Sequence, residues 1–493
     1  MLLTILIPIL AVLIFVTAFV LIRASLFMQA PEPVEPVELP EVDSQIIAGH
    51  VAAVIRCQTI ARDGQPAERA PFYDLHRALE TLYPRVHATL DRQIISNFSL
   101  LYTWRGSNPE LPAAMFCGHL DVVAADEETL DQWQHPPFSG EIADEYVWGR
   151  GALDIKGQVI SLLYAVEQLI KQGFQPERTL YLAFGEDEET SGKLGAGQIA
   201  ALLAERGEKL EAVLDEGGAI AQGILPGVEA PVALIGIVEK GHLTLRLRVE
   251  RAGGHSATPP PSSAIGILAR AVTAIEDNPM PANTAFLRET FRAIGAAGSP
   301  ALQIAFANSW LFGGLIRRRL STNPQTNAAI RTTAAVTVMR GGEKQNVLPP
   351  VAEALVNLRL LPGDTIATVC ERVRAIVDDR NVTIEALPES AHEAPPVSST
   401  ESPAYLSLSQ AVREVFPGVV TAPFMVLGAT DSRKYTALTE NIFRLSPVVL
   451  TREDLATIHG VNERISLPAL GRMVQFYQHL MRTWCGSESS STT

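Results

Sequence analysis

The sequence predicts an α/β protein, a mostly parallel sheet covered by helices and interrupted by a smaller α+β insertion. Three observations carry this. From about Ser44, short apolar runs alternate with segments of helical periodicity, the signature of strand–helix–strand units. Near Lys240 the texture changes to strict apolar/polar alternation, as in half-solvated antiparallel strands. After Ala394 the helix and strand signals of the first part resume, so the chain returns to close its first domain.

In chain order, "AAMFCGHL" (113–120) is a short apolar strand, and "GQVISLLYAVEQLIKQG" (157–173) is a helix ending at a C-cap glycine. "TLYLAF" (179–184) is a buried strand, "GAGQIAALLAERG" (195–207) a helix, and "LEAVLDEGG" (210–218) a strand with a turn. Beyond Lys240, "HLTLRLRVE" (242–250), "VAEALVNLRLLPGDT" (351–365) and "VTIEAL" (382–387) alternate as strands, with "TIATVCERVRAIVDD" (365–379) an amphipathic helix between the last two. "YLSLSQAVREVF" and "LPALGRMVQFYQHLMRTW" supply the closing helices. The expected organisation is a first catalytic part over 45–240, an insertion over 241–392 and a second catalytic part over 393–485. Within the insertion, 277–335 has no clear pattern. An apolar acyl channel, a dimer surface and a membrane-contacting patch all fit it equally.

The N-terminus differs. From Leu2 to Ile22 the chain runs 21 residues without a charge, long enough to span a bilayer core at about 1.5 Å per residue. No basic residue precedes the run, and it exceeds the usual core of a secretory signal. Residues 1–23 therefore read as an uncleaved single-pass membrane anchor, with a cleaved signal peptide as the alternative. Arg23 alone says little about orientation, and an extracytoplasmic catalytic part is the expectation. Prolines 31, 33, 36 and 40 with interspersed glutamates make 24–44 a stiff spacer, and "GSESSSTT" (486–493) a disordered tail.

The remaining composition excludes several classes. A formal net charge of -14 argues against a nucleic-acid partner, which needs a basic footprint. The four cysteines, Cys57, Cys117, Cys370 and Cys485, lie far apart and indicate neither a disulfide framework nor a thiolate metal site.

Acids then gather at strand ends. His119 and Asp121 follow the first strand, Asp154 follows "VWGRGAL", Glu188 and Glu189 follow "TLYLAFGED", and Asp215 and Glu216 follow "EAVL". In an open α/β sheet such ends converge on one edge, where several carboxylates must protonate or bind cations. Imidazole among carboxylates suits zinc, manganese or cobalt. Calcium prefers oxygen alone, so a structural calcium module fits poorly. Two further histidines stand out in loop contexts, His255 in the Gly/Pro-framed "GGHSATPP" and His459 in "TIHGVNERI" before the last helix.

Taken together, "GHLDVV", "WGRGALDIKG", "GEDEETSG", "LDEGG", "GGHSATPP", "GATDSR" and "IHGVNERI" resemble, in order and rough spacing, the aminoacylase/carboxypeptidase family of dinuclear zinc hydrolases. The likeness is greatest to its carboxypeptidase S and N-fatty-acyl-amino-acid hydrolase branch and covers about 45–485. The resemblance implies two Zn2+ per chain, with Co2+ or Mn2+ as substitutes, Asp154 bridging them, His119 and Asp215 completing one shell and Glu189 and His459 the other. Asp121 would orient His119 and Glu188 would be the general base, while Glu186 and Asp187 would have no chemistry. The insertion would be a lid or dimerisation domain, and His255 would reach the site of a second copy in a homodimer. Asn346 and Arg359 resemble substrate-contacting lid residues, and Arg433 is a further candidate for holding a substrate carboxylate. For Arg359 a salt bridge on the strand face is the alternative. The implied reaction is hydrolysis of the amide bond in a small peptide or N-acyl amino acid. A metal-binding scaffold without activity is the rival class, disfavoured because Glu188 and every ligand position are filled.

Overall fold

In the computed structural model, residues 2–27, 34–62, 64–225, 227–388 and 391–487 are described. The larger sheet has ten strands and is mixed. At its centre Leu180–Gly185, Ala113–His119, Leu210–Asp215 and Ile442–Arg444 run parallel. Antiparallel strands flank this block, Ser99–Trp104 on one side and Val232–Glu239 on the other.

The side-chain alternation along these strands divides two cores. Ala114, Phe116, Leu182 and Phe184 face the helices Lys156–Lys171 and Leu467–Cys485. Met115, Cys117, Tyr181 and Ala183 face the helix Ala196–Glu205. Both faces are covered, which is why these strands read as continuous apolar runs. The register sets His119 opposite Gly185 and Arg444 opposite Asp215, so four strands end at one edge.

The alternating segments form a second, antiparallel sheet in the order Thr333–Gly341, Val351–Leu360, Gly241–Glu250, Val382–Ala386. Helices Ala264–Asp277 and Ile366–Val377 bury its apolar face through Leu268, Val369 and Val373. A separate two-stranded antiparallel ribbon pairs His255 with Val347.

The unpatterned 277–335 stretch is largely helical: Arg288–Ala296, Pro300–Ala307, Ser309–Leu320 and Pro324–Ile330. Grouped by sequence with the insertion, its first helices pack instead on the large sheet's strand Val420–Val426. Thr290 Oγ1 donates to the Pro423 carbonyl at 2.6 Å, and Ala293 and Ile294 pack with Ala422. The N-terminal helix Leu2–Phe27 contains 23 residues, Ile5–Phe27, long and apolar enough to cross a membrane. Of the spacer, 34–43 has no regular structure; its first prolines and most of the 486–493 tail lie outside the described residues.

A buried ion pair locks the centre of the large sheet. Arg444 Nε donates to Glu239 Oε2 at 2.8 Å with both side chains almost fully buried, and the same carboxylate accepts from Thr430 N and Oγ1. Removing one partner of such a pair strands the other charge. Arg444→Met is expected to destabilise the fold by about 3–5 kcal/mol, read as a lower denaturation midpoint. An unchanged midpoint would show that this pair is not structural.

Candidate metal centre and active site

The residues at the shared sheet edge form two triads with one member in common. His119, Asp154 and Glu216 present ligand atoms within 4.8 Å of one another, and so do Asp154, Glu189 and His459. His119 Nε2 lies 3.2 Å from Asp154 Oδ1 and 3.3 Å from Glu216 Oε1. His459 Nε2 lies 2.9 Å from Asp154 Oδ2 and 3.2 Å from Glu189 Oε2. Asp154 therefore turns one carboxylate oxygen to each triad.

The geometry at this edge differs from one sequence expectation. Glu216, not Asp215, faces His119. Asp215 is the last residue of its strand, points away and accepts from Ser432 N at 2.8 Å, which ties it to the 428–435 loop. The motif "LDEGG" offers two adjacent acids whose side chains lie on opposite sides of the chain, and the sequence alone does not choose between them.

Around the triads, buried groups fix the ligands. His119 Nδ1 meets the Asp121 carbonyl at 2.9 Å and its carboxylate at 3.5 Å. The Asp121 carboxylate also accepts from the backbone N–H groups of Glu188 and Glu189 at 3.2 and 3.1 Å. Asp121 thus links the histidine to the glutamate pair. Glu463 was not anticipated. Its buried carboxylate accepts from Leu153 N and Asp154 N and from Arg150 Nη1 at 2.6 Å, while Arg150 Nη2 reaches the Gly460 carbonyl. The sequence signal was its place in "IHGVNERI", four residues past His459. Glu186 and Asp187 build the loop. Glu186 accepts from Phe98 N and Ser99 N, and Asp187 from Leu194 N and Gly195 N.

The charge balance of this pocket is unusual. Burial, and then the neighbouring Glu216, push the Glu188 carboxyl well above the usual range. Burial and the Asp154 charge raise Glu216 to about 8. Burial alone would lower the His119 imidazole, but Glu216, Asp121 and Asp154 outweigh it and hold it well above its ordinary value. Hydrogen bonds to Asp154 and Glu189 raise His459 to about 10. Protons or cations must offset this negative charge. The donor set fits a pair of divalent metals: mixed imidazole and carboxylate ligands, one shared carboxylate, and a buried Glu189 Oε1 that meets no hydrogen-bond donor.

The remaining candidates lie elsewhere. His255 is exposed on the two-stranded ribbon, where its Nδ1 accepts from Ala257 N, and the exposed Asn346 precedes the ribbon's other strand with its carbonyl bonded to Ser256 N. Neither contacts the triads of its own chain among the described residues. Arg359 pairs across the strand with His242. Its guanidinium is lowered by burial and then by the charge of Arg433, so these two candidates do come near one another. Arg433 spans the Thr430 and Ser191 carbonyls. The buried Asp431 packs against Gly192, whose φ of +61° and missing Cβ leave room for that carboxylate.

The model of Peptidase family M20/M25/M40 matches residues 115–483. The chain belongs to this family. It is a hydrolase of amide bonds in an M20-type fold, and metal dependence is typical of such proteins. The M20 chain is 41% identical over 413 residues to the "Probable carboxypeptidase S-like 2" of Dictyostelium discoideum, covering 83% of this chain and 79% of that one. It is 39% identical over 450 residues to an N-fatty-acyl-amino acid synthase/hydrolase of Xenopus tropicalis, covering 90% and 87%. Among solved structures, an M20 family metallo-carboxypeptidase of Sulfolobus solfataricus matches with a TM-score of 0.63 at 15% identity, over 88% of this chain and 98% of that one. That likeness shows the fold.

The Asp215/Glu216 assignment is directly testable in the M20 chain. Glu216→Gln is expected to lower metal content per chain, measured by elemental analysis, whereas Asp215→Asn keeps an acceptor for Ser432 N and leaves metal content unchanged. The reverse pattern would restore Asp215 as the ligand.

Proposed function

We propose that this chain is a dinuclear zinc hydrolase that cleaves the amide bond of a small peptide or N-acyl amino acid bearing a free carboxylate. The observation that carries the reading is the pair of triads sharing Asp154, with Glu188 beside them. His119, Asp154 and Glu216 would hold one metal, and Asp154, Glu189 and His459 the other. When bound, such metals acidify a water and polarise the amide carbonyl.

The chain's own residues then do the following. Glu188, held by Asp121 through its backbone N–H, takes a proton on its carboxylate and delivers it to the leaving amine. Asp121 fixes the His119 tautomer, leaving Nε2 for the metal. Arg359 and Arg433 would receive the substrate carboxylate through their N–H donors. His255, exposed and free of its own triads, is available to the site of a second copy in a homodimer, as an oxyanion donor. The N-terminal helix is retained as a membrane anchor, a reading supported by its hydrogen bonds to the body of the protein: Arg23 Nε to the Ala307 carbonyl and Asn308 Nδ2 to the Val20 carbonyl.

A second reading keeps the chemistry and changes the substrate. The name of the Xenopus relative points to long-chain N-acyl amino acids, so the acyl group here is either short and peptidyl or fatty. N-acetyl, N-oleoyl and dipeptide substrates assayed side by side separate the two. Preference for the oleoyl amide makes the enzyme an N-fatty-acyl-amino-acid hydrolase; no turnover of any of the three overturns both readings.

Two variants test the roles. Glu188→Gln is expected to retain its metals while losing about 10²–10⁴ in kcat, and near-normal turnover would mean another base. Mixing Glu188→Gln and His255→Ala protomers under verified subunit exchange should regenerate one intact site per heterodimer. If no activity returns, the shared-site dimer is wrong.

A further inference from the structure

The N-terminal helix is docked along its last third only. Phe19 meets Trp310 edge-on at 6.2 Å between ring centroids, the Arg23 and Val20 hydrogen bonds follow, and the Arg292 guanidinium lies 5.9 Å from the Phe27 ring. Val20 and Ala24 are buried there, whereas the apolar side chains from Ile5 to Phe15 are exposed. A bilayer core takes up about 20 helical residues, so in a retained anchor the turn around Phe19–Arg23 sits at the membrane boundary. The junction of Pro300–Ala307 with Ser309–Leu320 is held at that same level.

The helix Ser309–Leu320 leaves its own apolar face bare at this level. Trp310, Leu311 and Leu315 are 57%, 47% and 65% exposed. Arg318 and Arg319 continue the same rows at the four-residue spacing of one helix face, and Arg317 completes a basic run. In a chain with a net charge of -14, three consecutive arginines stand out. An apolar face with an interfacial tryptophan and a basic end matches a helix lying in the boundary of an anionic membrane.

We propose that Ser309–Leu320 is a membrane-contacting helix that inserts Trp310, Leu311 and Leu315 into the bilayer boundary beside the anchor, with Arg317–Arg319 on anionic lipid headgroups. This rests on the anchor reading. It commits the insertion's helical segment to the lipid surface and holds the catalytic body against the membrane despite the proline-containing spacer.

Trp310 makes the test simple, because the other four tryptophans, Trp104, Trp133, Trp148 and Trp484, are each under 9% exposed. The full chain is placed in nanodiscs containing phosphatidylserine and lipids brominated near the glycerol backbone, after intact mass has shown whether residues 1–27 are present. The expected result is tryptophan quenching that Trp310→Phe abolishes. Replacing Arg317, Arg318 and Arg319 together with serine should reduce it to the level seen in phosphatidylcholine alone, and unchanged hydrolysis would show both variants folded. An intact chain without Trp310-dependent quenching overturns the proposal alone, as does a Leu315→Cys variant that forms a disulfide between two copies, since a second copy then covers the face. Loss of residues 1–27 overturns the anchor reading and the proposal with it.

Discussion

Asp154 lies between two imidazoles and among buried carboxylates, and the active-site edge is organised around that concentration of charge. In a poorly solvated pocket several like charges repel strongly unless protons or cations intervene. Burial alone would raise Asp154, but the imidazoles of His119 and His459 outweigh it and hold it low, while burial raises Glu188, Glu216 and Asp215. In the proposed reading divalent cations would offset this repulsion, because the charge that repels without them is what would bind them.

The fold brings these groups together through topology and holds them with backbone donors. Parallel strands end together, so His119, the Glu188–Glu189 loop and Glu216 arrive from three separate segments. Several of these groups then have a buried support. Asp121 joins His119 to the glutamate pair, Glu463 with Arg150 holds the Asp154 backbone, and Asp215 with Glu239 and Arg444 ties down the 428–435 loop. Removing the Asp121 or Glu463 support would loosen a candidate ligand without deleting it.

Much of this could be read before the structure. The apolar strand runs and the acids following them located the edge, because a parallel sheet buried on both faces leaves few reasons for acids at its ends. The second sheet was legible from strict alternation, which the structure returns as alternating burial along Gly241–Glu250. What escaped has physical causes. Asp215 and Glu216 differ by one residue at a strand end, where the chain leaves the pleat. Glu463 and Asp431 act through long-range contacts that no local pattern encodes. The helices within 285–330 are short, and much of their packing is on Val420–Val426 and the N-terminal helix, distant in sequence, so their periodicity is weak.

In the proposed centre Asp154 would bridge two metals, one held with His119 and Glu216 and the other with Glu189 and His459. A crystal of the zinc-loaded protein, measured at the zinc absorption edge, tests it directly. Two anomalous peaks about 3.5–4 Å apart are expected, one on each side of the Asp154 carboxylate. A single peak, or a peak bound by Asp215 in place of Glu216, would contradict it.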